Sequence, residues 1–596
     1  MPTWFARRVL DLAGVLTDIY YRRKYGAMAR RLGRPTVAPD ERRGFILLQI
    51  DGLAHAHLIQ ALDEGYLPTL NRLITSNRLK VAPWRCGLPS STPAVQAGMM
   101  FGNRFDIPGF RWYEKDRRTL MSPQQLDQIP TMHRRISEGR PGILSGGSCY
   151  VSIFDGDAEL ALFTLSTLRR QRFFESLRGV GLLVLFLLSP FRVLRVTGRA
   201  LADYASKLGH RLLGLIRAVT VVLHSVFGSS SPFEAQAPMP RSSWDIVSPL
   251  VQASSEALFT EVQTFGVMLD IYRRVPAIYA NYNGYDEAAH EMGPTHPTAF
   301  RVLRSIDRRI RQIDRMRANY QGRSYDLYVI SDHGNTAAVT FASENGVSLG
   351  EHIARGIEEG VSVHERVEAH TYVKNRARYL REELRALEEG DRSHFQGLLT
   401  TARRYVDQTM EKADLLDYDL RRERDIVVSA SGSLAHIYFN VARHPLEMME
   451  VLILYPGLLD WLTATPGIGA VIGRAGDRTI VLGSEGGTLE IGREAELADP
   501  PDPLAPYGDA SYAERQIHQL AHFPHAGDLI VLGAMREDGR VVTFENQLAA
   551  HGGLGGPQTH PFIAWSPERD LRSHAINDPE DLYPVFRAYH QVAPGQ

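Results

Sequence analysis

Three bulky apolar runs that each end in a carboxylate constrain this chain most. GFILLQID closes on Asp51, PAIYANYNGYD on Asp286, and YDLYVISD on Asp332. Such runs have no polar face to turn toward water, so they predict strands buried on both sides, the habit of parallel sheets sandwiched between helices. The segment after the first run, HLIQALDEGYLPTLNRLI, has helical spacing. Strands alternating with helices predict an α/β domain with a mainly parallel central sheet flanked by helices. Ligands of such sheets gather beyond the carboxyl ends of the strands, where each of the three runs delivers an acid.

At 596 residues the chain is longer than one ordinary core requires, which predicts a large domain with insertions or several domain-sized units. A hydrophobic share of 44%, a charged share of 23% and a net charge of -1 exclude a disordered or nucleic-acid-coating protein. Two cysteines, Cys86 and Cys149, exclude a disulfide framework and a thiolate-rich zinc module. The N-terminus lacks an apolar core followed by a small-residue cleavage site, so no signal peptide is expected. The most apolar stretch, residues 179–188, stops at Ser189-Pro190, short of the roughly 18 to 20 residues a spanning helix needs. A cytoplasmic protein without an ordinary transmembrane helix is the expectation.

Two stretches break the alternation and read as insertions. The boundaries expected are a basic amphipathic arm over 1–43, catalytic core segments over 44–154, 255–375 and 515–596, a basic apolar helical insertion over 155–254, and a mixed α/β cap over 376–514. Residues 169–228 set ten cations, from Arg169 to Arg217, against Glu175 and Asp203 alone, with leucines at near-helical spacing. That composition suits a helix lying in a membrane interface, and equally a basic helical pair packed on the protein itself. The arm, with Arg22, Arg23, Lys24, Arg30, Arg31 and Arg34, favours an anionic membrane surface, with the protein peripheral on the inner face. Nucleic acid is the weaker partner because few aromatics interleave with these charges. Within the cap, DIVVSASGSLAHIYFN and AVIGRAGDRTIVLGSEGGTLEIG read as β runs separated by glycine-rich turns.

Thr92, in LPSSTPAVQAGMM, reads as a helix N-cap followed by proline in the first turn, and taken alone it is a structural cap. A helix start is also a good seat for phosphate, because unpaired N–H groups and the positive dipole end face the anion. Asp286 and His290 are four apart in GYDEAAHEMGP, so on a helical turn both face one point, although such pairs are common by chance. Asp332 and His333 in VISDHGN follow a strand, and Gly334 permits a tight backbone there. His551 lies in AAHGGLGGPQTHPFIAW, a glycine-rich loop before a final apolar run.

Taken in order, QIDG at Asp51, PSSTPA at Thr92, DEAAHEMGP at Asp286 and His290, SDHG at Asp332 and His333, and AHGG at His551 resemble the alkaline phosphatase superfamily. The nearest likeness is to its type I phosphodiesterase/nucleotide pyrophosphatase branch. The resemblance covers roughly 44 to 150, 255 to 350 and 515 to 590. It implies an alkaline-phosphatase-like core and a phosphoric ester hydrolase with two divalent metal ions. Asp286, His290 and His551 are then assigned to one ion, and Asp51, Asp332, His333 and the Thr92 oxygen to the other. Nitrogen and oxygen ligands without thiolate suit zinc, with manganese the alternative. Thr92 becomes the nucleophile, passing through a phosphothreonyl intermediate.

Where phosphodiesterase relatives often place a phosphate-binding asparagine, this chain reads DIPGFRWYEKD, leaving Arg111 or Trp112 for that role, or neither. An arginine would favour a more highly charged phosphate. The segment RCGLPSS lacks the sulfatase pattern, and no G-x-S-x-G elbow is present. His55, His57, His296, His522, His525 and His560 read as loop or neighbouring residues and are left out of the metal set. A phosphodiesterase acting on a lipid or nucleotide is expected. The alternatives are a phosphomonoesterase or phosphotransferase of the same superfamily, and a catalytically silent membrane-surface protein.

Overall fold

The computed structural model describes residues 42–125, 127–167, 247–319, 322–357, 363–366, 426–492, 498–499, 501–571 and 575–591. The basic arm up to residue 41, the run 169–228 and the charged run 375–390 lie outside these residues.

The core sheet has seven strands: β1 (Gly44–Ile50), β2 (Lys80–Pro83), β3 (Ser148–Ser152), β4 (Leu160–Thr164), β5 (Ala277–Tyr282), β6 (Tyr325–Ile330) and β7 (Phe562–Trp565). Their order is β2-β7-β6-β1-β5-β3-β4. The five strands from β6 to β4 run parallel, whereas β7 pairs antiparallel with both β6 and β2. Every residue of β1 is buried, as its unbroken apolar sequence requires. Alternation sends Ile46, Leu48 and Ile50 into one core layer and Phe45 and Leu47 into the other.

Four helices frame the carboxyl ends of these strands or cover their faces: α1 (Thr92–Phe101), α2 (Val247–Arg273), α3 (Gly284–Met292) and α4 (Pro297–Asn319). Buried residues of α2 and α4, such as Phe265, Phe300 and Ile310, cover the first layer, and Ala94, Val95 and Met100 of α1 cover the second. This is the α/β class with a mainly parallel central sheet flanked by helices that the strand runs predict. The helical stretch after β1 divides at Pro68 into His55–Asp63 and Pro68–Thr75, with Gly65 between them at a φ of +74°. Proline starts a helix readily and breaks one in its interior, which spacing alone does not reveal.

A second sheet of eight strands lies beside the first. Its order is Val363–Arg366, Ile426–Ser431, Leu434–Phe439, Leu529–Gly533, Ile468–Ala475, Arg478–Gly483, Thr488–Ile491 and Ala498–Asp499. The β runs expected in the cap are here. So is Leu529–Gly533, which falls within the last core segment of the expected boundaries. Likewise Leu160–Thr164, within the expected basic insertion, is the edge strand of the core sheet. A short, mostly apolar run does not show which sheet it joins. Among the described residues no helix is long and apolar enough to cross a membrane.

Candidate active site

The carboxyl ends of β1, β5 and β6 deliver their side chains to one point. Asp51 follows β1, Asp332 lies two residues past β6, and Asp286 stands in the first turn of α3, just beyond β5. All three are buried. Gly52, at a φ of +71°, turns the chain so tightly that a methyl group there would overlap Asp286 and lie 2.5 Å from Asn335 Nδ2. Thr92 opens α1, but the N-cap is Ser91 and Pro93 follows within the first turn, one position away from the expected cap. His551 enters from the far end of the chain. A small sheet pairs Ala549–Ala550 with Thr336–Thr340, so the loop bearing His551 lies against the segment bearing His333.

His333 is the hub. Its Nε2 is 3.2 Å from Thr92 Oγ1, 3.6 Å from Asp51 Oδ1 and 3.5 Å from Asp332 Oδ2. His551 stacks on it with ring centroids 3.8 Å apart, and His290 lies 5.1 Å from His551. His290 Nε2 approaches Asp286 Oδ2 at 3.2 Å. The structure therefore brings Asp51, Thr92, Asp286, His290, Asp332, His333 and His551 into one cluster from distant stretches of sequence.

Each imidazole is oriented in the same way. Nδ1 of His290 meets the Ala549 carbonyl at 2.8 Å, Nδ1 of His333 the Gly334 carbonyl at 3.0 Å, and Nδ1 of His551 the Ser90 carbonyl at 3.0 Å. A carbonyl only accepts, so each Nδ1 carries the proton and donates it. The Nε2 of His290 and of His333 is thereby turned toward the buried carboxylates, the usual arrangement around a metal-ligating histidine.

Electrostatics point the same way. Burial alone would raise Asp286, but the adjoining His290 outweighs it and holds the carboxyl well below its usual range. Desolvation works against a charged His290, yet Asp286 lifts it to about 9. Asp332 is pushed up, first by burial and then by the negative charge of Asp286. His551 is driven well below 6.5 by burial and by the neighbouring His333. Asp286 Oδ2 and Asp332 Oδ2 are buried with no hydrogen-bond partner, the nearby imidazole nitrogens meeting them only as ion pairs. Three buried carboxylates packed together are costly without compensating positive charge. Two sets of ligand atoms, Asp51/Asp332/His333 and Asp286/His333/His551, each lie within 4.8 Å of one another. The donor chemistry fits divalent cations.

Two residues outside the expected set complete the surroundings. Asn281 Nδ2 donates to Asp51 Oδ2 at 2.7 Å, and Asn335 Nδ2 donates to Asp286 Oδ1 at 2.8 Å and to the Gly52 carbonyl at 3.0 Å. Asn335 directly follows the SDHG motif, which is the one signal in the sequence that points to it. Arg111 and Trp112 have no hydrogen bond or ion pair to the cluster. The Arg111 guanidinium is engaged by Glu545 at 2.9 Å and by the Ala430 carbonyl, while the buried Trp112 indole donates to Glu114. Of the histidines outside the metal set, His57 is buried in the helix after β1 and pushed down to about 4 by desolvation, and His525 binds Asp106 at 2.6 Å.

A mainly parallel α/β sheet whose strand ends gather carboxylates, imidazoles and a helix-start threonine makes a metal-compatible cluster. The family described as Type I phosphodiesterase / nucleotide pyrophosphatase matches residues 208–429, and it is the family that the sequence motifs resemble. The matched span holds Asp286, His290, Asp332 and His333, while Asp51, Thr92 and His551 lie beyond it. No curated protein matches the chain. Among solved structures, phosphonoacetate hydrolase from Sinorhizobium meliloti 1021 in complex with phosphonoformate is similar at 15% identity, over 93% of this chain and 97% of that one, with a TM-score of 0.41. Murine ectonucleotide pyrophosphatase / phosphodiesterase 5 is similar at 12% identity over 93% and 96% of the respective chains, with a TM-score of 0.41.

Proposed function

We propose that the protein is a phosphodiesterase using Thr92 as nucleophile at a site that holds two divalent cations, zinc by preference. The observation that carries this reading is the common orientation of His290, His333 and His551, with every Nδ1 spent on a main-chain carbonyl and the Nε2 of His290 and of His333 facing buried carboxylates. Asp286, His290 and His551 would hold one cation; Asp51, Asp332, His333 and the Thr92 oxygen would hold the other. When bound, the cations supply positive charge that acidifies the threonine hydroxyl and a water and neutralises the phosphate oxygens.

The chain's own residues do the rest. Thr92 Oγ1 attacks phosphorus in line; the Oγ1–P bond forms, the ester P–O bond breaks, and the alcohol departs with a proton. Water then attacks the phosphothreonine, the new O–P bond forming as the Thr92 bond breaks. Burial of Thr92 excludes bulk water before the ester enters. Asn281 and Asn335 hold Asp51 and Asp286 in fixed rotamers, so the charge pattern is set before substrate binds. The engagement of Arg111 by Glu545 supports a diester over a monoester, because that guanidinium is not free to meet a second phosphate charge.

The test is turnover of bis-p-nitrophenyl phosphate and p-nitrophenyl phosphate by wild type and Thr92→Ala, with zinc or manganese and with metal analysis of the purified protein. Wild type should prefer the diester, and Thr92→Ala should lose at least about a thousandfold in kcat. Unchanged turnover in that variant removes the nucleophile. The basic, leucine-rich composition of 169–228 supports docking on an anionic membrane surface and a lipid-derived ester. Flotation with anionic vesicles at low salt tests this, and protein that stays unbound defeats it.

A further inference from the structure

The hydroxyl of a nucleophile at a helix start is only as well placed as the helix itself. Most of what α1 buries is apolar: Ala94, Val95, Ala97, Met99, Met100 and Phe101. Apolar packing is strong but non-directional, and it resists small rotations and slides weakly compared with hydrogen bonds.

Gln96 is the exception. It lies four residues after Thr92, on the same face of α1. It is completely buried, and its amide is used at both ends. Oε1 accepts from Ser152 Oγ and from the Ile153 main-chain N–H, both at 3.0 Å. Because a main-chain N–H can only donate, the amide orientation is fixed, and Nε2 must face Tyr279 Oη, 3.1 Å away. Tyr279 Oη accepts there and passes its single proton to Gln49 Oε1 at 2.7 Å. Tyr279 and Gln49 are also completely buried.

This chain of bonds ties α1 to three adjacent strands, β3, β5 and β1. Two of its anchors lie two residues upstream of groups in the cluster. Gln49 lies near the end of β1, two residues before Asp51, which follows the strand, and Tyr279 precedes Asn281, the donor to Asp51, along β5. Residues two apart in a strand share a face, so the network fixes α1 relative to the strands that set the position of Asp51.

We infer that Gln96, anchored through Tyr279, is a positioning residue for Thr92, fixing the rotation and height of α1 so that Oγ1 sits on the line of attack. The inference rests on Thr92 being the nucleophile. A misplacement approaching 1 Å is enough to cost about a hundredfold in rate, so loosening by a few tenths of an ångström is expected to be visible.

Two variants test it, each assayed with bis-p-nitrophenyl phosphate beside Thr92→Ala. Tyr279→Phe removes a single oxygen, and Gln96→Met keeps length while removing both hydrogen-bonding ends. The expected result is kcat reduced about tenfold or more, with KM within twofold of wild type and bound zinc at wild-type stoichiometry. Tyr279→Phe carries the test alone should Gln96→Met fail to fold. A kcat within twofold of wild type overturns the inference. So does a loss of bound metal that accounts for the loss of rate, because the network would then support the ligands rather than the nucleophile. Activity retained in Thr92→Ala instead defeats the underlying assignment, which keeps the two failures distinct.

Discussion

Replacing Gly52 by alanine should disturb the cluster through a contact that can be separated from backbone strain. Gly52 holds a φ of +71°, and an added methyl group would overlap Asp286 Oδ1 and lie 2.5 Å from Asn335 Nδ2. Gly65 holds nearly the same φ, +74°, but nothing lies within 4 Å of where its methyl would stand. In both variants the left-handed backbone costs about 1 to 2 kcal/mol. Only at position 52 must Asp286 or Asn335 also move. That movement breaks the bonds from Asn335 to Asp286 and to the Gly52 carbonyl, each worth about 1 kcal/mol. Gly52→Ala should therefore be about 2 kcal/mol less stable than Gly65→Ala in chemical denaturation. Its zinc affinity should fall about 10- to 100-fold, as when the partner of a ligating group is lost, while Gly65→Ala binds as wild type. Equal destabilisation of the two variants, with zinc affinity intact in both, would refute the idea that Gly52 is required by the close approach of Asp286.

Three further outcomes are expected. Asn281→Leu leaves Asp51 Oδ2 without its 2.7 Å donor, so zinc affinity should drop about 10- to 100-fold; isothermal titration giving the wild-type affinity would contradict this. Added zinc should stabilise the protein by about 2.7 kcal/mol at a free concentration a hundred times Kd, reversibly with a chelator, and a melting curve indifferent to zinc would count against a native cation site. His525 is raised above 6.5: burial opposes its charge, but Asp106 at 2.6 Å, together with Glu114, outweighs both that and the nearby Arg135. A raised histidine contributes stability fully below pH 6.5 and loses it as pH climbs through the folded-state value. The stability difference between wild type and His525→Gln, about 1 kcal/mol or less after solvent screening, should thus shrink above about pH 6.5; a gap that widened there would reverse the sign of the argument.

How legible each residue is in the sequence depends on the kind of signal it leaves. Asp51, Asp286 and Asp332 announce themselves because an apolar strand stops at or beside each of them, and a strand end in an α/β sheet is where ligands sit. Their convergence with Thr92 and the three histidines requires the fold, since residues 51 and 551 lie almost the whole chain apart. Asn281 is invisible as a partner because an isolated asparagine has no period or spacing to mark it, and Asn335 is marked only by its place directly after SDHG. Gln96 is hidden more thoroughly, a polar residue inside a helix whose ordinary reading is solvent exposure. Ser91 and Thr92 are both of a type that caps helices, so the sequence does not choose between them, and the N-cap falls on Ser91, whose side chain makes no capping hydrogen bond. Leu529–Gly533 is legible as a strand but not as a member of a particular sheet, because pairing partners are chosen by tertiary packing, whereas Leu160–Thr164 is masked by the basic, leucine-rich stretch that follows it and reads as helical.

His551 has an unusual address. The chain leaves the second sheet at Gly533, crosses the cluster and enters the first sheet at Phe562. The final imidazole is thus carried on a span with one abutment in each sheet, like a keystone that is seated only after both piers stand. Neither half of the molecule, produced on its own, would hold all seven residues of the cluster, so the cluster closes only with the entire architecture.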